Sequence, residues 1–340
     1  MSAKRPRLRA AFVGCGYIAN IHALHIQKSQ GVDLIAVCDV DYDRADAFAS
    51  QHAVPIACTS IEEILDLRPD VVHVLTPPAS HADLAVACLD AGCHVYVEKP
   101  LATTSLELQK LVRAAKASRA TLCPGHNRLF DPPVTNAARV LQKHGAKAFA
   151  IELRLATWPP KDGVAGHWED LGIHAAYLLQ AFLGELGEWR AVSSPNGSNG
   201  TGPAALGIGV RCAIGFGSIL LTIGTNPPRS TMAFHAAKLS VAVDLNVQSV
   251  VLWKPSGLPK PVERAVWGLR EGLQHWGWVA RNGAQILRPS QLHYPGVGEL
   301  VRRYHTSIAR GSPPPIDLDE AIHATEWYVQ VLAALRNGGQ

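Results

Sequence analysis

The sequence predicts an α/β protein: a doubly wound parallel sheet at the N-terminus, followed by an α/β domain with an open, mainly antiparallel sheet. In the first third of the chain, short apolar runs alternate with helix-like segments. Strands spaced by helices require right-handed crossovers and a parallel sheet that is covered on both faces. Beyond Pro132, longer strand-like runs follow one another directly. We therefore predict one domain over 1–125 and a second over 126–340.

The elements of the first domain follow in regular order. Each predicted strand is a short apolar run bounded by turn residues, as expected for strands buried on both faces. The predicted strands are LRAAFVGCG, VDLIAVCDV, VVHVLTPP, HVYVEKP and TLCPGHN, and helices are predicted up to Ser29 and over 43–51, 81–91 and 105–117.

The second domain contains a segment, 205–224, that is as apolar and as long as a membrane span. It includes five glycines and Arg211, however, and its apolar residues alternate, so we interpret it as two buried strands. Further strands are predicted in AKAFAIELRLATW and AAKLSVAVDLNVQSVVLW, and the turn-rich stretch 193–203 is predicted to be a surface loop.

The amino-acid composition excludes several classes of protein function. With 47% hydrophobic and 18% charged residues and a net charge of +4, the chain is a folded protein with no basic patch of the kind that binds nucleic acid. The seven cysteines include no CxxC pair and lie mostly in apolar runs, so we expect reduced core thiols and no metal site. The apolar run after the basic start is too short for a signal peptide, which predicts a cytoplasmic protein.

Residues 14–19, GCGYIA, have the G-x-G-x-x-G/A form between a strand and a helix. The first glycine permits a tight turn, the second lets the backbone approach a pyrophosphate, and a helix N-terminus then meets the anion. Asp39 ends the second strand, where its carboxylate can accept both ribose hydroxyls. Asp41 and Asp43 would repel a 2′-phosphate, so NAD is predicted over NADP. The acidic group is also consistent with helix capping, and the nearby Arg44 weakens the discrimination.

Two later strands end at the same sheet edge, where open α/β sheets bind ligands. Thr76 and Pro77 end one strand, and Glu98-Lys99-Pro100 ends the next. The charged pair is either an exposed ion pair or a lysine presented to a substrate.

A third element is HWEDLGIHAAYLLQAFLG, 167–184, in which Asp170 and His174 are spaced i, i+4 and share one helical face. Tyr177, Leu178 and Phe182 would supply apolar anchoring. The Asp-His pair either forms a structural hydrogen bond or takes part in catalysis.

The order of GCGYIA, TPPASH, AGCHVYVEKP and D-x-G-x-H resembles the glucose-fructose oxidoreductase / inositol dehydrogenase / MocA (Gfo/Idh/MocA) family over nearly the whole chain. The resemblance implies a Rossmann domain followed by a substrate-binding and oligomerisation domain, and a sugar, nucleotide-sugar or cyclitol substrate. It implies that Lys99 binds the reacting hydroxyl, that His174 is the general base and that Asp170 orients substrate or shares the proton relay. It further implies cofactor contacts from Gly14, Gly16, Tyr17, Ile18, Asp39, Thr76, Pro77, His81, Glu98 and Lys99.

The sequence departs from that pattern just before D-x-G-x-H, where Gly166-His167-Trp168-Glu169 replaces the usual glycines. His167 and Trp168 either shape the substrate pocket or pack the loop. Asn127 and Arg128 fall where members often contact substrate, although Arg128 is equally suited to a structural ion pair.

The segment 262–288 is less typical. It places Val262, Leu269, Leu273 and Trp276 on one helical stripe, with arginines elsewhere. The stripe either packs on the protein's own sheet or a subunit partner, or lies on a membrane surface. Co-sedimentation with liposomes tests the membrane hypothesis, and a lack of binding by the intact protein would contradict it.

Together these features predict an NAD-dependent dehydrogenase or reductase that acts on a secondary carbinol, with a small-molecule substrate and a homodimer or homotetramer formed through the C-terminal sheet. Two alternatives are an NAD-dependent glycosidase with transient oxidation, which releases product without net NADH, and a non-catalytic NAD sensor. The presence of Lys99, Asp170 and His174 together argues against the sensor.

Overall fold

The computed structural model describes residues 7–29, 31–158, 164–194, 204–286 and 294–337. The chain divides into two compact units, Met1–Asn127 with Gly296–Val329, and Arg128–Pro295 with Gln330–Gln340. The boundary after Asn127 lies close to the one placed at 125/126. The sequence predicted one boundary, whereas Gly296–Val329 belongs to the first unit again. The sequence alone does not show on which sheet the last helices pack.

The first unit contains a six-stranded sheet in which every neighbouring pair is parallel. The strand order is β3-β2-β1-β4-β5-β6, which is the doubly wound order with its switch between β1 and β4. The sheet confirms the predicted fold class. The three-residue β3 is too short to show alternation and is not named from the sequence. The strands are β1 Leu8–Val13, β2 Val32–Cys38, β3 Ile56–Cys58, β4 Val71–Val74, β5 His94–Val97 and β6 Leu122–Pro124.

Helices follow the strands of this sheet, and a helix from the C-terminal part of the chain joins them. The Tyr304 hydroxyl, in α9, donates to the backbone oxygens of Thr121 (2.6 Å) and Val95 (3.1 Å). This contact fastens α9 to the β5–β6 edge region. The helices, labelled in chain order, are α1 Tyr17–Gln27, α2 Tyr42–His52, α3 Ile61–Asp66, α4 His81–Asp90, α5 Ser105–Ala117, α9 Pro295–Arg310 and α10 Leu318–Arg336.

The second unit contains an open seven-stranded sheet in the order β13-β12-β11-β7-β10-β9-β8. Its pairs are antiparallel except β7 with β10, so the predicted mainly antiparallel sheet is confirmed. Segment 205–224 forms two strands, as expected from its alternation, whereas 195–203 of the predicted surface loop lies outside the described residues. The elements are α6 Pro132–Lys143, β7 Ala148–Thr157, α7 Val164–Leu183, β8 Leu186–Ser193, β9 Ala204–Cys212, β10 Gly215–Ile223, β11 Thr231–Ala236, β12 Leu239–Asp244, β13 Ser249–Trp253 and α8 Lys260–Ile286.

Helix α7 covers one face of this sheet over β7, β9 and β10. Alternate residues of β7, including Ile151, Leu153 and Leu155, are buried, whereas Glu152 and Arg154 between them are exposed. This period of two is expected for a sheet that is packed on one face only. The site on α7 is therefore anchored by a continuous apolar layer.

Helix α8 lies along the edge strand β13 with its polar side. Gln274 bonds both backbone groups of Leu252, at 2.9 and 3.2 Å, and the Trp278 indole donates to Val250 O at 2.7 Å. These bonds satisfy backbone groups that an edge strand otherwise presents to solvent.

The apolar stripe of α8 points away from the sheet, since Leu269 is 66%, Leu273 63% and Trp276 72% exposed. The helix therefore packs on the protein's own sheet, as one of the interpretations has it, but through its polar side and not through the stripe. Arg288 of the predicted segment lies outside the described residues. No helix among the described ranges is both long enough and apolar enough to cross a membrane.

The seven cysteines are all buried and free, in agreement with the expected core thiols. Burial, followed by the nearby Asp39 carboxylate, raises the pKa of the Cys15 thiol to about 12. A thiol held protonated in this way is a poor nucleophile, so we assign Cys15 a packing role.

Candidate functional site

The glycine loop after β1 requires its first glycine. Gly14 has φ +98°, and a Cβ built there would lie 2.7 Å from the backbone oxygen of Leu75 and 3.0 Å from the Thr76 nitrogen. The Gly14 N–H donates to Cys38 O at 2.8 Å. The loop is thus packed between the ends of β2 and β4, and a side chain has no room there.

Gly16 plays a different part, because it caps α1. No side chain accepts from the free N–H groups of this helix end, and the first turn contains no acidic residue. A Cβ at Gly16 would meet nothing within 4 Å. The helix N-terminus therefore offers backbone donors and the positive end of its dipole to an anion that approaches the loop.

Asp39, at the end of β2, is held against the glycine loop. Its Oδ2 accepts from the Cys15 N–H at 2.9 Å and its Oδ1 from the Asp41 N–H at 3.1 Å. Asp41, in contrast, caps α2 by accepting from the Arg44 N–H at 3.3 Å. The helix-capping interpretation of the acidic group thus applies to Asp41, whereas Asp39 lies beside the loop that would bind a pyrophosphate.

His81 joins the two loops at the ends of β4 and β5. One ring nitrogen lies 2.7 Å from Thr76 O and the other 2.7 Å from Pro100 O. The imidazole is 1% exposed. Its role in this structure is to hold Thr76-Pro77 and Lys99-Pro100 side by side.

Glu98 and Lys99 close β5 at the same edge. Glu98 is buried and accepts from the Lys99 N–H at 3.2 Å, and Lys99 is half-buried. Burial by itself raises the pKa of the Glu98 carboxyl, but His22 and Lys99 outweigh it and hold that pKa below the usual value. A carboxylate therefore lies directly behind Lys99. A Cβ at Gly125 would lie 3.2 Å from Glu98 Oε1, so glycine leaves the carboxylate its space.

These residues together fit a dinucleotide. Gly14, Gly16, Asp39, Thr76 and Lys99 all lie at the carboxyl edge of one parallel sheet, the usual ligand edge of this architecture. Along the same edge, three large side chains are exposed to solvent although they are apolar or aromatic, which suits contact with a base or a nicotinamide ring. They are Tyr17 (67%), Val40 (92%) and Tyr42 (54%).

In the second unit, α7 carries His174 in a buried position. His174 Nδ1 contacts the Tyr177 hydroxyl, and that hydroxyl accepts from the Arg128 N–H at 3.3 Å. Tyr177 therefore orients the imidazole of His174 through Nδ1. Asp170, one turn earlier, is exposed.

The contact of the Tyr177 hydroxyl with His174 is not apparent from the sequence, which indicates only apolar anchoring at this position. The i, i+3 spacing from His174 was the available signal, but the same spacing occurs in every buried helix face. The hydroxyl, rather than the ring, is what distinguishes this position.

Trp168 packs inside the second unit. It is fully buried, and a Cβ at Gly172 would lie within 3.0 Å of its indole. The glycine of D-x-G-x-H therefore accommodates Trp168, which supports the packing interpretation of this residue. His167 is also buried.

We expect Gly172→Ala to lower the free energy of unfolding by about 1–3 kcal/mol, because overpacking exceeds the helix-propensity gain of alanine. Gly268→Ala is the matched control: it also lies within a helix, nothing lies within 4 Å of its Cβ, and it should leave stability unchanged or raise it by up to about 1 kcal/mol. Urea unfolding of both variants checks this, and equal stabilities would contradict the packing of Trp168 on Gly172.

Asn127 and Arg128 sit at the end of the first unit and the start of the second. Asn127 Oδ1 is buried and has no hydrogen-bond partner among the described residues, which suits an amide that orients a polar ligand. Arg128 Nη1 lies 3.9 Å from Asp131 Oδ2, a distance too long for a strong bidentate pair. Both remain candidate substrate contacts.

The predicted site residues thus fall into two groups. The cofactor candidates, with Lys99, share one edge in the first unit. Asp170 and His174, with His167 and Trp168, lie on α7 in the second. Among the described residues, no group of three or more His, Cys, Asp or Glu side chains could hold a metal ion.

Part of the first unit is similar to a known family of proteins. Residues 8–126 match the GFO_IDH_MocA family, described as an oxidoreductase family with an NAD-binding Rossmann fold. Inositol 2-dehydrogenase of Salmonella typhimurium (strain LT2) is 36% identical over 130 residues, which are 36% of this chain and 38% of that protein. D-glucoside 3-dehydrogenase of Escherichia coli K12 is 32% identical over 207 residues, 56% of each chain.

The chain spans about half the length of the curated relatives it matches. Among solved structures, the WlbA dehydrogenase of Bordetella pertussis, in complex with NADH and UDP-GlcNAcA, has a TM-score of 0.77 at 18% identity and covers 98% of this chain and 96% of that one. At this identity the likeness establishes a shared fold. The match of residues 8–126 supports the resemblance of this part of the chain to the Gfo/Idh/MocA oxidoreductases.

Proposed function

We propose that the protein is an NAD-dependent dehydrogenase or reductase that acts on a secondary carbinol of a sugar, nucleotide-sugar or cyclitol. The observation that carries the proposal is the single sheet edge that joins the glycine loop, Asp39 and Lys99. That edge combines a pyrophosphate cradle with a cation. The names of the curated relatives, an inositol and a glucoside dehydrogenase, support a cyclic polyol as the substrate class.

When bound, NAD supplies the hydride acceptor. The backbone N–H groups at Gly16 bind the pyrophosphate, and the Asp39 carboxylate accepts the ribose hydroxyls while its other contacts fix it to the loop. Tyr17, Ile18, Thr76, Pro77 and His81 complete this binding edge, His81 through the two backbone oxygens that it holds.

The chemistry of alcohol oxidation needs a proton acceptor, because hydride leaves the carbon only as the O–H proton leaves. We assign that role to His174, whose imidazole is oriented by Tyr177. The Lys99 ammonium stabilises the developing alkoxide, and Asp170 orients the substrate. In the reverse direction, the same residues donate the proton to a keto-sugar.

The preference for NAD over NADP rests on the charge next to Asp39. Arg44 lies 3.6 Å from Asp39 and 3.5 Å from Asp41 and is engaged by both carboxylates, so a 2′-phosphate would meet negative charge.

We therefore expect Asp39→Gly to weaken NAD binding about 10- to 100-fold, since two hydrogen bonds to the ribose are lost and each contributes roughly 0.5–1.5 kcal/mol. NADP should gain relative affinity, because Arg44 is released. Fluorescence titration with both dinucleotides measures this. Asp43→Asn, an exposed position on the same segment, is the control and should leave the ratio of the two dissociation constants unchanged. An unaltered ratio in Asp39→Gly would contradict the assignment.

The second unit has two exposed apolar surfaces that are candidates for contact with a second subunit or a membrane. Phe216 (52%) and Leu220 (41%) are exposed on β10, which supports homo-oligomer formation through the open sheet. Native mass spectrometry tests this, and a monomer would contradict it. The exposed stripe of α8 is compatible with binding to a membrane surface, and this hypothesis stays a prediction.

Reduction of NAD in the presence of a polyol, abolished by loss of Lys99, is the direct test of the proposed function. Product release without net NADH would instead indicate the glycosidase, and NAD binding with neither reaction would indicate the sensor.

A further inference from the structure

Three buried histidines from distant parts of the chain contact one another inside the first unit. His22 lies on α1, His73 on β4 and His305 on α9, and they are 0%, 0% and 4% exposed. The two Nδ1 atoms of His22 and His73 are 2.9 Å apart, and the two Nε2 atoms of His73 and His305 are also 2.9 Å apart. The dehydrogenase chemistry assigned above uses none of them.

The row of histidines ends at Glu98, the carboxylate behind Lys99. His22 Nε2 lies 3.4 Å from Glu98 Oε1, within ion-pair distance, although the contact falls short of hydrogen-bond geometry. Tyr96 fixes the rings from the side: its ring stacks on His73 at 5.1 Å and 14°, and meets His22 edge-on at 4.9 Å. The geometry therefore forms a continuous row: Glu98, His22, His73, His305.

His73 and His305, the two members of this row farthest from Glu98, are neutral. Burial, with the neighbouring imidazoles, lowers the pKa of His73 far below its ordinary value. Burial likewise lowers the pKa of His305 to about 3. Each of these rings then carries one proton, and His73, with a partner on both nitrogens, must donate on one side and accept on the other.

Only one direction of donation points every ring N–H of the row toward an acceptor atom. If His73 donates to His22, then His22 Nε2 carries its proton toward the carboxylate, and His305 donates to His73 through Nε2. His305 Nδ1, which is buried with no hydrogen-bond partner among the described residues, is then a bare acceptor. In the opposite direction that atom would be a buried N–H without an acceptor, whatever the protonation of His22, and buried orphan donors are rarer than orphan acceptors.

We propose that His305, His73 and His22 form a one-directional chain of neutral imidazoles whose N–H groups all point toward Glu98, and that this chain positions Glu98 and the Lys99 backbone. One Glu98 oxygen then faces the His22 N–H at 3.4 Å, and the other accepts from the Lys99 N–H. The three histidines are positioning residues, and this second part of the proposal rests on the proposed catalytic role of Lys99.

The direction of the chain is measurable without any substrate. Long-range ¹H–¹⁵N spectra of protein labelled on its 15 histidines report which ring nitrogen is protonated. We expect His22 and His305 to be protonated on Nε2 and His73 on Nδ1, with each signal assigned from its loss in a single variant. The reverse pattern, or an imidazolium at any of the three positions, would overturn the chain.

The positioning role is tested with His73→Phe, which keeps an aromatic ring against Tyr96 but removes both nitrogens. His94→Phe is the matched control, since His94 is on the neighbouring strand and its imidazole bonds Thr121 outside the row of histidines. We expect kcat to fall about tenfold or more in His73→Phe, because small displacements of a reacting group are costly, with the dissociation constant of NAD and the KM of the substrate within about twofold of the control. A kcat equal to that of His94→Phe would overturn the role.

If His73→Phe does not fold, the pair His305→Leu and His305→Gln carries the same test. Glutamine can keep a donor N–H near the position of the His305 Nε2, whereas leucine removes it. Lower kcat in the leucine variant with recovery in the glutamine variant supports the chain, and equal kcat in the two contradicts it. Since the tautomer spectra need no turnover, a protein without dehydrogenase activity would refute the proposed function and leave the chain to be judged by the spectra.

Discussion

Gly14→Ala should abolish measurable NAD binding and destabilise the protein in the absence of cofactor. A non-glycine residue at φ +98° costs about 1–2 kcal/mol in backbone energy, and the new Cβ would press on the carbonyl group of Leu75. Together we expect a loss of about 2–4 kcal/mol in the free energy of unfolding. Because the loop must shift to relieve the contact, its N–H groups would leave the pyrophosphate position, and affinity should fall at least about 100-fold.

Gly16→Ala separates stability from binding. Gly16 has an ordinary φ of −80° and open space around its Cβ. This variant should unfold at the wild-type temperature yet bind NAD more weakly, because the methyl group occupies the approach of the pyrophosphate. Thermal unfolding with and without NAD measures both effects. Equal behaviour of the two variants would contradict the distinct parts assigned to the two glycines.

Loss of Lys99 or of His174 should remove catalysis while leaving the fold intact. Lys99→Ala removes the cation that stabilises the alkoxide, and His174→Ala removes the proton acceptor. For each we expect kcat to fall about 10²- to 10⁴-fold. His174→Ala should keep the NAD affinity of the wild-type protein, since His174 is on α7 and takes no part in the binding edge of the first unit.

Tyr177→Phe is the matched control for His174. It keeps the buried ring but removes the hydroxyl that contacts Nδ1. We expect a smaller fall in kcat, about 10- to 100-fold, because the imidazole remains but is no longer oriented. Steady-state kinetics and NAD titration measure the two effects separately. A His174→Ala protein that turns over at the wild-type rate would rule out His174 as the base.

The parts of the site that the sequence predicts are those carried by contiguous residues. The glycine loop and Asp39 were identified because strand, turn and helix signals are adjacent in the chain, and the structure packs them together. The histidine chain has no such signal: its members are 51 and 232 residues apart, so only the folded sheet brings them into contact.

Helix α8 shows a different reason for failure. From the sequence, its apolar stripe left three partners open, namely the protein's own sheet, a second subunit and a membrane surface, and the usual rule for amphipathic helices places the stripe against whichever partner is present. The neighbour is an edge strand, however, whose free backbone groups need polar partners. Gln274 and Trp278 supply them, and the apolar residues are left on the outside. The pattern identified the helix but not its orientation.

The most direct test of the account is to follow NADH absorbance after mixing the protein and NAD with a panel of free sugars, cyclitols and nucleotide sugars, alongside Lys99→Ala. We predict that one substrate class produces NADH and that the substitution abolishes the signal. Equal NADH production by the wild-type and Lys99→Ala proteins, or no reaction with any class in a protein that binds NAD, would contradict the dehydrogenase assignment.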